Sequence, residues 1–160
     1  MKKALLVFIP VLLIVEFFAL PVVSADTLVR FKGGIRVIPV RGNAPPFTAN
    51  LVLGVIPAGQ PWVIRDVEAR VKTNGEIKVN GEGLIRAGGN IGTTSEDPVL
   101  ATLFCGNIAH HSGAVSPEPN GDFRIDDVLS PAPPHPCDNP VLLIRNAETG
   151  NWFAAGIPKD

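Results

Sequence analysis

The stretch that decides the fold runs from residue 67 to residue 80 and reads VEARVKTNGEIKVN. Apolar and charged side chains alternate on both sides of a turn signal, which is typical of two half-buried strands joined as a β-hairpin. A two-residue turn at Asn74-Gly75 would place Val71 opposite Lys78 and would mix apolar and charged side chains on one face. A three-residue loop with Gly75 in the left-handed conformation keeps the apolar side chains together, and we predict this loop. The pairs that it predicts are Val71–Ile77, Ala69–Val79 and Lys72–Glu76.

Short apolar runs recur along the rest of the chain, separated by clusters of Gly, Pro and Asn. The chain has 16 glycines and 16 prolines, and its apolar runs show no helical period outside the N-terminal segment. Several short strands at regular spacing indicate a sandwich or a barrel. We predict an all-β fold, an antiparallel β-sandwich of about seven to nine strands with one disulfide, and a β-barrel as the alternative. The predicted strands are 28–32, 35–40, 50–56, 62–71, 76–86, 99–105, 122–129, 141–145 and 152–157.

The first 25 residues are typical of a secretory signal peptide. Two lysines precede an apolar run over residues 4–15, and a Val-Ser-Ala tripeptide ends at Ala25. A basic start, an apolar centre and a small-x-small end are the three parts of an export signal. We predict cleavage after Ala25 and export of residues 26–160 as a single β-rich extracytoplasmic domain.

An uncleaved membrane anchor is the alternative, because residues 4–23 approach the length of a membrane-spanning helix. Glu16 lies near the middle of that segment and argues against an anchor, since a carboxylate at bilayer depth costs about 2.5–3.5 kcal/mol. Cleavage leaves 135 of the 160 residues, which is enough for one domain with its own core.

The charge balance bears on the class of partner. Without the leader, 12 basic and 14 acidic residues remain. This is too little basic charge to follow a phosphate backbone, and no run of like charge suggests a membrane-surface patch. We therefore expect an unknown extracellular ligand or protein as the partner, with no nucleic acid, no membrane after cleavage and no cofactor.

Cys105 and Cys137 are the two cysteines of the chain. In an exported chain, two cysteines form a disulfide by default. The bond would close a loop of about 32 residues and would stabilise the fold by roughly 3–4 kcal/mol in the chain-entropy model. We predict this disulfide.

A metal site is the competing interpretation of the same region. His110, His111 and His135 lie in the two segments that the cysteines would bring together. Imidazole and thiolate groups are ligands that zinc and copper prefer, although the spacing matches no zinc motif. With the disulfide formed, the three histidines could still bind a metal ion. This interpretation predicts that the three imidazoles converge.

No catalytic arrangement stands out. His111-Ser112 is the nearest candidate for a base and a nucleophile, but adjacent side chains in a loop seldom face each other, and no Gly-x-Ser-x-Gly elbow is present. We predict a non-enzymatic binding or structural module of unknown ligand, with a metal-binding protein as the alternative and a hydrolase as the least favoured class.

Trp62 and Trp152 are the candidate surface aromatics. On the surface they would bind sugar rings or a partner, whereas in the core they need no further function, and the core is the favoured interpretation. Long irregular segments are sometimes functional, so we expect any ligand to meet the loops. The predicted irregular segments are 41–49, 87–98, 106–120 and 130–140, and we expect the ligand at the last three.

Several short motifs carry a resemblance to known sequences. They are GVIPAGQPWVI at 54–64, GEGLI at 81–85, ATLFC at 101–105, NGDFRI at 120–125, the segment 136–145 and WFAAGI at 152–157. Together they resemble a group of small secreted bacterial proteins of unknown function over residues 50–157. The resemblance implies export and a paired Cys105 and Cys137, and it implies no activity. A looser similarity to immunoglobulin-like or transthyretin-like sandwiches concerns the strand pattern alone.

Overall fold

The computed structural model describes residues 25–40 and 49–159. The predicted signal peptide lies outside this part of the chain, apart from its last residue. The described residues form strands and no helix, so this part contains no helix long and apolar enough to cross a membrane. The strands are β1 (Thr27–Arg36), β2 (Trp62–Val63), β3 (Asp66–Lys72), β4 (Glu76–Glu82), β5 (Ile85–Arg86), β6 (Val99–Cys105), β7 (Ile108–Val115), β8 (Phe123–Val128), β9 (Val141–Asn146) and β10 (Trp152–Lys159).

Eight strands form one antiparallel sheet in the order β7-β6-β9-β10-β1-β3-β4-β8, and β2 pairs with β5 in a separate ladder. The sheet curls until its two end strands meet. There, the N–H of His111 donates to the carbonyl of Ser130 at 2.9 Å, and the N–H of Ser130 donates back at 2.8 Å. The N–H of Gly113 donates to the Asp127 carboxylate, which lowers the pKa of Asp127. The all-β prediction is confirmed, and the nearly closed sheet corresponds to the barrel alternative.

β3 and β4 form the hairpin with the predicted register. Gly75 has a φ of 87°, in the left-handed region that the three-residue loop requires. Lys72 contacts the Glu76 carboxylate across the loop, as expected. The observed ladder includes the pairs Val71–Ile77 and Ala69–Val79. The hairpin therefore turns its apolar side chains to the interior and its charged side chains to solvent.

Side chains fill the interior of the barrel, as expected for a sheet of eight strands. β9 is covered on both sides, because consecutive residues Leu142, Leu143 and Ile144 are all fully buried. The burial agrees with the sequence, which is continuously apolar from Val141 to Ile144 within the predicted strand 141–145. The largest fully buried apolar side chains are Phe31, Ile77, Leu84, Leu103, Ile125, Leu142, Leu143 and Ile144.

The contact between β4 and β8 depends on a glycine. Gly81 lies directly opposite Phe123 in the ladder. A Cβ added to Gly81 would lie 2.1 Å from the Phe123 ring. The aromatic ring therefore occupies the space above the glycine, which is a recognised way to pair glycine across strands.

β7 corrects the expectation of an irregular segment at 106–120. Its sequence, IAHHSGAV, is polar and has little of the β-branched character of the other strands. Two polar side chains, His110 and Ser112, point inward and are 2% and 7% exposed. The Ser112 hydroxyl accepts a hydrogen bond from the N–H of Ala101, and His110 Nδ1 lies 2.8 Å from the carbonyl oxygen of Pro131. Tertiary hydrogen bonds thus make a strand of a segment whose sequence is typical of a loop.

Several other predicted strands differ from the structure. The runs at 28–32 and 35–40 contribute to one strand, β1, which continues through a bulge where Gly33 has a φ of 88°. The run at 50–56 forms only an isolated bridge between Val52 and Val55. The run at 62–71 splits into β2 and β3, and the run at 76–86 splits into β4 and β5.

The disulfide joins Cys105, at the end of β6, to Cys137, in the connection between β8 and β9. Both cysteines of the chain are used, so this prediction is confirmed. The N–H of Gly106 also donates to the carbonyl of Asp138 at 2.6 Å. Together the covalent bond and the hydrogen bond hold the segment after β8 against the end of β6.

Candidate anion-binding face

The outer surface of β1, β3, β4 and β8 carries most of the charge of the described sheet. In β3 and β4 buried and more exposed residues alternate along the strand, as in β3, where Ala69 is buried between exposed Glu68 and Arg70. We call this outer surface, with the end of β10, the basic face. It consists of Arg30, Lys32, Glu68, Arg70, Lys78, Asn80, Arg124, Asp126 and Lys159.

Cross-strand register places four cations side by side on the basic face. Arg30 of β1 lies opposite Arg70 of β3, and Arg70 lies opposite Lys78 of β4. On the other side, Arg30 lies opposite Lys159 of β10. We call these four residues the basic row. Opposed side chains in an antiparallel ladder have Cβ atoms roughly 4.5–5.5 Å apart, and like charges at that distance repel each other.

A second row runs parallel to the first and mixes charges with an amide. Lys32 lies opposite Glu68, and Glu68 lies opposite Asn80. Asn80 in turn lies opposite Arg124 of β8. We call Lys32, Glu68, Asn80 and Arg124 the mixed row. The basic row presents only hydrogen-bond donors, whereas the mixed row presents donors and acceptors.

The two rows border a hollow of about 560 Å³ on the outer surface. Its floor is the sheet itself around the buried residues Phe31, Ala69, Val79 and Ile125. Its walls are the long arginine and lysine side chains, which rise from exposed positions. The concavity lets several cations approach one ligand together.

Ion pairs neutralise only part of the basic face. Lys32 contacts Glu68 at 3.0 Å, and this hydrogen bond raises the pKa of Lys32. Lys78 contacts Asp126 at 2.8 Å. In the part of the chain that the structure describes, no carboxylate lies within 4.0 Å of the charged atoms of the other cations. These cations are Arg30, Arg70, Arg124 and Lys159.

Charge is strongly segregated in the molecule. Six basic and two acidic side chains give the basic face a formal charge of +4. The whole chain has a net charge of −1, which leaves −5 for everything outside the face. A local positive potential on an acidic protein attracts anions to one place.

The three histidines do not form a ligand group. His110 is buried with Nδ1 on the Pro131 carbonyl, whereas the neighbouring His111 directs Nδ1 to the Thr102 hydroxyl at 3.0 Å. Consecutive strand residues point to opposite faces, so the two rings diverge. His135 is exposed in the connection after β8. Among the described residues, no three His, Cys, Asp or Glu side chains are grouped as metal ligands would be.

The structure buries both tryptophans, so the surface role considered for them is wrong. Trp62 is 3% exposed and packs on Phe153 with ring centroids 4.4 Å apart. The Arg86 guanidinium covers the Trp62 ring at 5.2 Å from its centroid. Trp152 is 5% exposed, beside Pro57. A smaller hollow of about 300 Å³ lies next to Trp62, but the indole is not available as a platform there.

The basic face lies on strands, whereas the sequence patterns predict a ligand at the loops. The sequence contains part of the evidence for the basic face, because the predicted hairpin register puts Arg70 opposite Lys78. Arg30 and Lys159 join the basic row because β1 pairs with β3 and β10, and β1 and β10 are distant in sequence. No stretch of sequence therefore contains the row as a run of like charge.

Comparisons with known proteins identify no relative. No family model, curated protein or solved structure matches this chain. The fold and the site together define a class: a small disulfide-bonded β-barrel with a concave cationic face.

Proposed function

We propose that this protein is an exported, non-enzymatic binding module that holds an anionic ligand on the basic face. The observation that carries the proposal is the basic row, in which Arg70 lies between Arg30 and Lys78 across three paired strands. Arginine and lysine side chains on a concave surface form charge-assisted hydrogen bonds with carboxylate, sulfate or phosphate groups.

The energetics of the row support a functional origin. Like charges directly opposite each other on a sheet destabilise it, whereas alternating charges would stabilise it. The mixed row contains such an alternation at Lys32 and Glu68, with a contact of 3.0 Å. The basic row has cations at every position from β10 to β4. A surface that retains unfavourable pairs is typical of a binding site, where stability is given up for function.

The chemistry of the lining residues supports binding rather than catalysis. Apart from the floor, the face is lined by arginine, lysine, glutamate, aspartate and asparagine. These side chains hold charged and polar ligands. Both acidic residues of the face, Glu68 and Asp126, are engaged in ion pairs with lysines.

Export is supported by two independent features. The leader has the three parts of a signal peptide. Cys105 and Cys137 form a disulfide, and disulfides form and persist in oxidising compartments. We therefore propose that the ligand is met outside the cytoplasm.

Calorimetric titration of the purified protein with inorganic tripolyphosphate, a compact multivalent anion, tests the proposal. We expect binding that weakens steeply with salt, because exposed charges are screened at physiological ionic strength. Arg70→Gln should weaken it about tenfold, the equivalent of one charge-assisted hydrogen bond. Arg36→Gln is the matched control, because Arg36 is exposed on the same β1 strand as Arg30 but does not line the face. Equal affinity for Arg70→Gln and Arg36→Gln would refute the assignment of the site.

A further inference from the structure

We infer that the ligand of the basic face is an acidic polysaccharide, a chain of sugars that carry carboxylate or sulfate groups. This inference rests on the proposed function and identifies the chemical class of the anion. It is drawn from the length of the basic row, from the mixed row beside it and from the position of both rows within the sheet.

The basic row is long enough to contact several charges of one chain. It crosses β10, β1, β3 and β4, which are consecutive in the sheet. Three spacings between neighbouring strands amount to about 14 Å. A single phosphate or sulfate would contact only a part of that length, whereas a polymer lying across the strands would contact all four cations.

The mixed row selects for a ligand with hydroxyl groups. Asn80 offers an amide oxygen and Glu68 offers a carboxylate oxygen, within the same hollow as the cations. An acceptor needs a donor on the ligand, and a carboxylate repels a ligand that has only negative charge. Sugar hydroxyls are donors, whereas a polyphosphate chain without protons has none. Anionic groups along the basic row and hydroxyl groups along the mixed row describe an acidic polysaccharide.

Three other polyanions fit less well. A nucleic acid strand is normally held by aromatic stacking as well as by charge, and the one aromatic residue that lines the hollow, Phe31, is 2% exposed. A membrane surface is planar, whereas the cations border a concave surface. An extended acidic peptide binds most readily by adding to a free strand edge, but β1, β3 and β4 are paired on both sides.

The experiment compares ligands on the wild-type protein and on Asn80→Ala, which leaves the charge unchanged. The probes are a heparin hexasaccharide and an oligogalacturonate, as sulfated and carboxylated sugars, and inorganic tripolyphosphate. We expect Asn80→Ala to weaken binding of at least one oligosaccharide about fivefold, the equivalent of one neutral hydrogen bond, and to leave tripolyphosphate binding unchanged. Arg70→Gln should weaken binding of every probe.

The outcomes separate the inference from the proposed function. If Asn80→Ala leaves both oligosaccharides unaffected while Arg70→Gln weakens all probes, the face binds anions and the polysaccharide assignment is wrong. Tighter binding of poly-glutamate, of single-stranded DNA or of phosphatidylglycerol vesicles than of either oligosaccharide would also overturn the assignment. If Arg70→Gln changes no affinity, the proposed function itself fails.

Discussion

Arg70 lies directly opposite Lys78 in the β3–β4 ladder, with both side chains on the outer face of the sheet. The opposite neighbour of Arg70 is also a cation, Arg30 of β1. Lys78 contacts the Asp126 carboxylate at 2.8 Å, which offsets part of the repulsion on Lys78. Arg70, in contrast, makes no ion pair with any residue that the structure describes. The repulsion around Arg70 is the physical basis of the proposed function, because a bound anion would relieve it.

Replacement of Gly81 tests the close contact between β4 and β8. In Gly81→Ala the new methyl group would meet the Phe123 ring at 2.1 Å, so the ring or the strand must move. We expect a loss of roughly 1–3 kcal/mol in the free energy of unfolding, the usual cost of overpacking. Urea denaturation followed by circular dichroism measures it.

Gly59→Ala is the matched control for that substitution. A Cβ at Gly59 would meet nothing within 4 Å. We expect it to be neutral or slightly stabilising, since alanine restricts the unfolded chain. Equal destabilisation by both substitutions would show that the contact with Phe123 is not the cause.

Removal of the disulfide tests how strongly the covalent link stabilises the barrel. Cys105 and Cys137 are 32 residues apart, and the loop that they close contains β7 and β8, the two strands that meet at the seam. We expect the Cys105→Ala/Cys137→Ala variant to lose roughly 3–4 kcal/mol of stability through the entropy of the unfolded chain. Urea denaturation of the variant, and of the reduced wild-type protein, measures this loss. A change below 1 kcal/mol in both would contradict the prediction.

His111 makes stability depend on pH in the mildly acidic range. Burial, followed by the charges of Arg145 and His110, lowers the pKa of His111 below its ordinary value of 6.5. Between that lowered pKa and 6.5 the unfolded chain binds more protons than the folded chain, so the free energy of unfolding falls as pH decreases through this window. His111→Gln removes the titrating group. Between pH 7.5 and pH 5, the free energy of unfolding of this variant should therefore fall by less than that of the wild type.

The control for this prediction is His135→Gln. His135 is exposed, and its replacement leaves His111 in place, so the variant should retain the dependence on pH that His111 causes. Urea denaturation at a series of pH values provides the comparison. A His111→Gln variant with the full wild-type decline would show that other groups cause the acid sensitivity.

Much of the fold follows from local patterns in the sequence. The β3–β4 hairpin could be predicted to the residue, because alternation of side chains and a glycine at position 75 leave only one register that buries a single face. The disulfide followed from the number of cysteines and from the expectation that the chain is exported. Both depend on information contained within short segments or on residue types alone.

The remaining features depend on contacts between distant segments. β7 could not be predicted from its sequence, because its inward side chains are His110 and Ser112, and their hydrogen-bond partners lie on other elements. The basic row could not be predicted either. It requires Arg30 of β1 to pair with Lys159 of β10, and these two residues are far apart in the sequence. Such pairings belong to the topology of the whole sheet.

The stability of Arg70→Thr, measured with and without tripolyphosphate at low salt, tests the central claim most directly, with Arg36→Thr as the control. Threonine suits a strand and removes the charge between Arg30 and Lys78. We expect Arg70→Thr to be more stable than the wild type by about 0.2–1 kcal/mol without the anion. We also expect the anion to raise the melting temperature of Arg70→Thr by less than that of the wild type or of Arg36→Thr. A variant that is less stable alone, or that the anion stabilises as much as the wild type, would contradict the account.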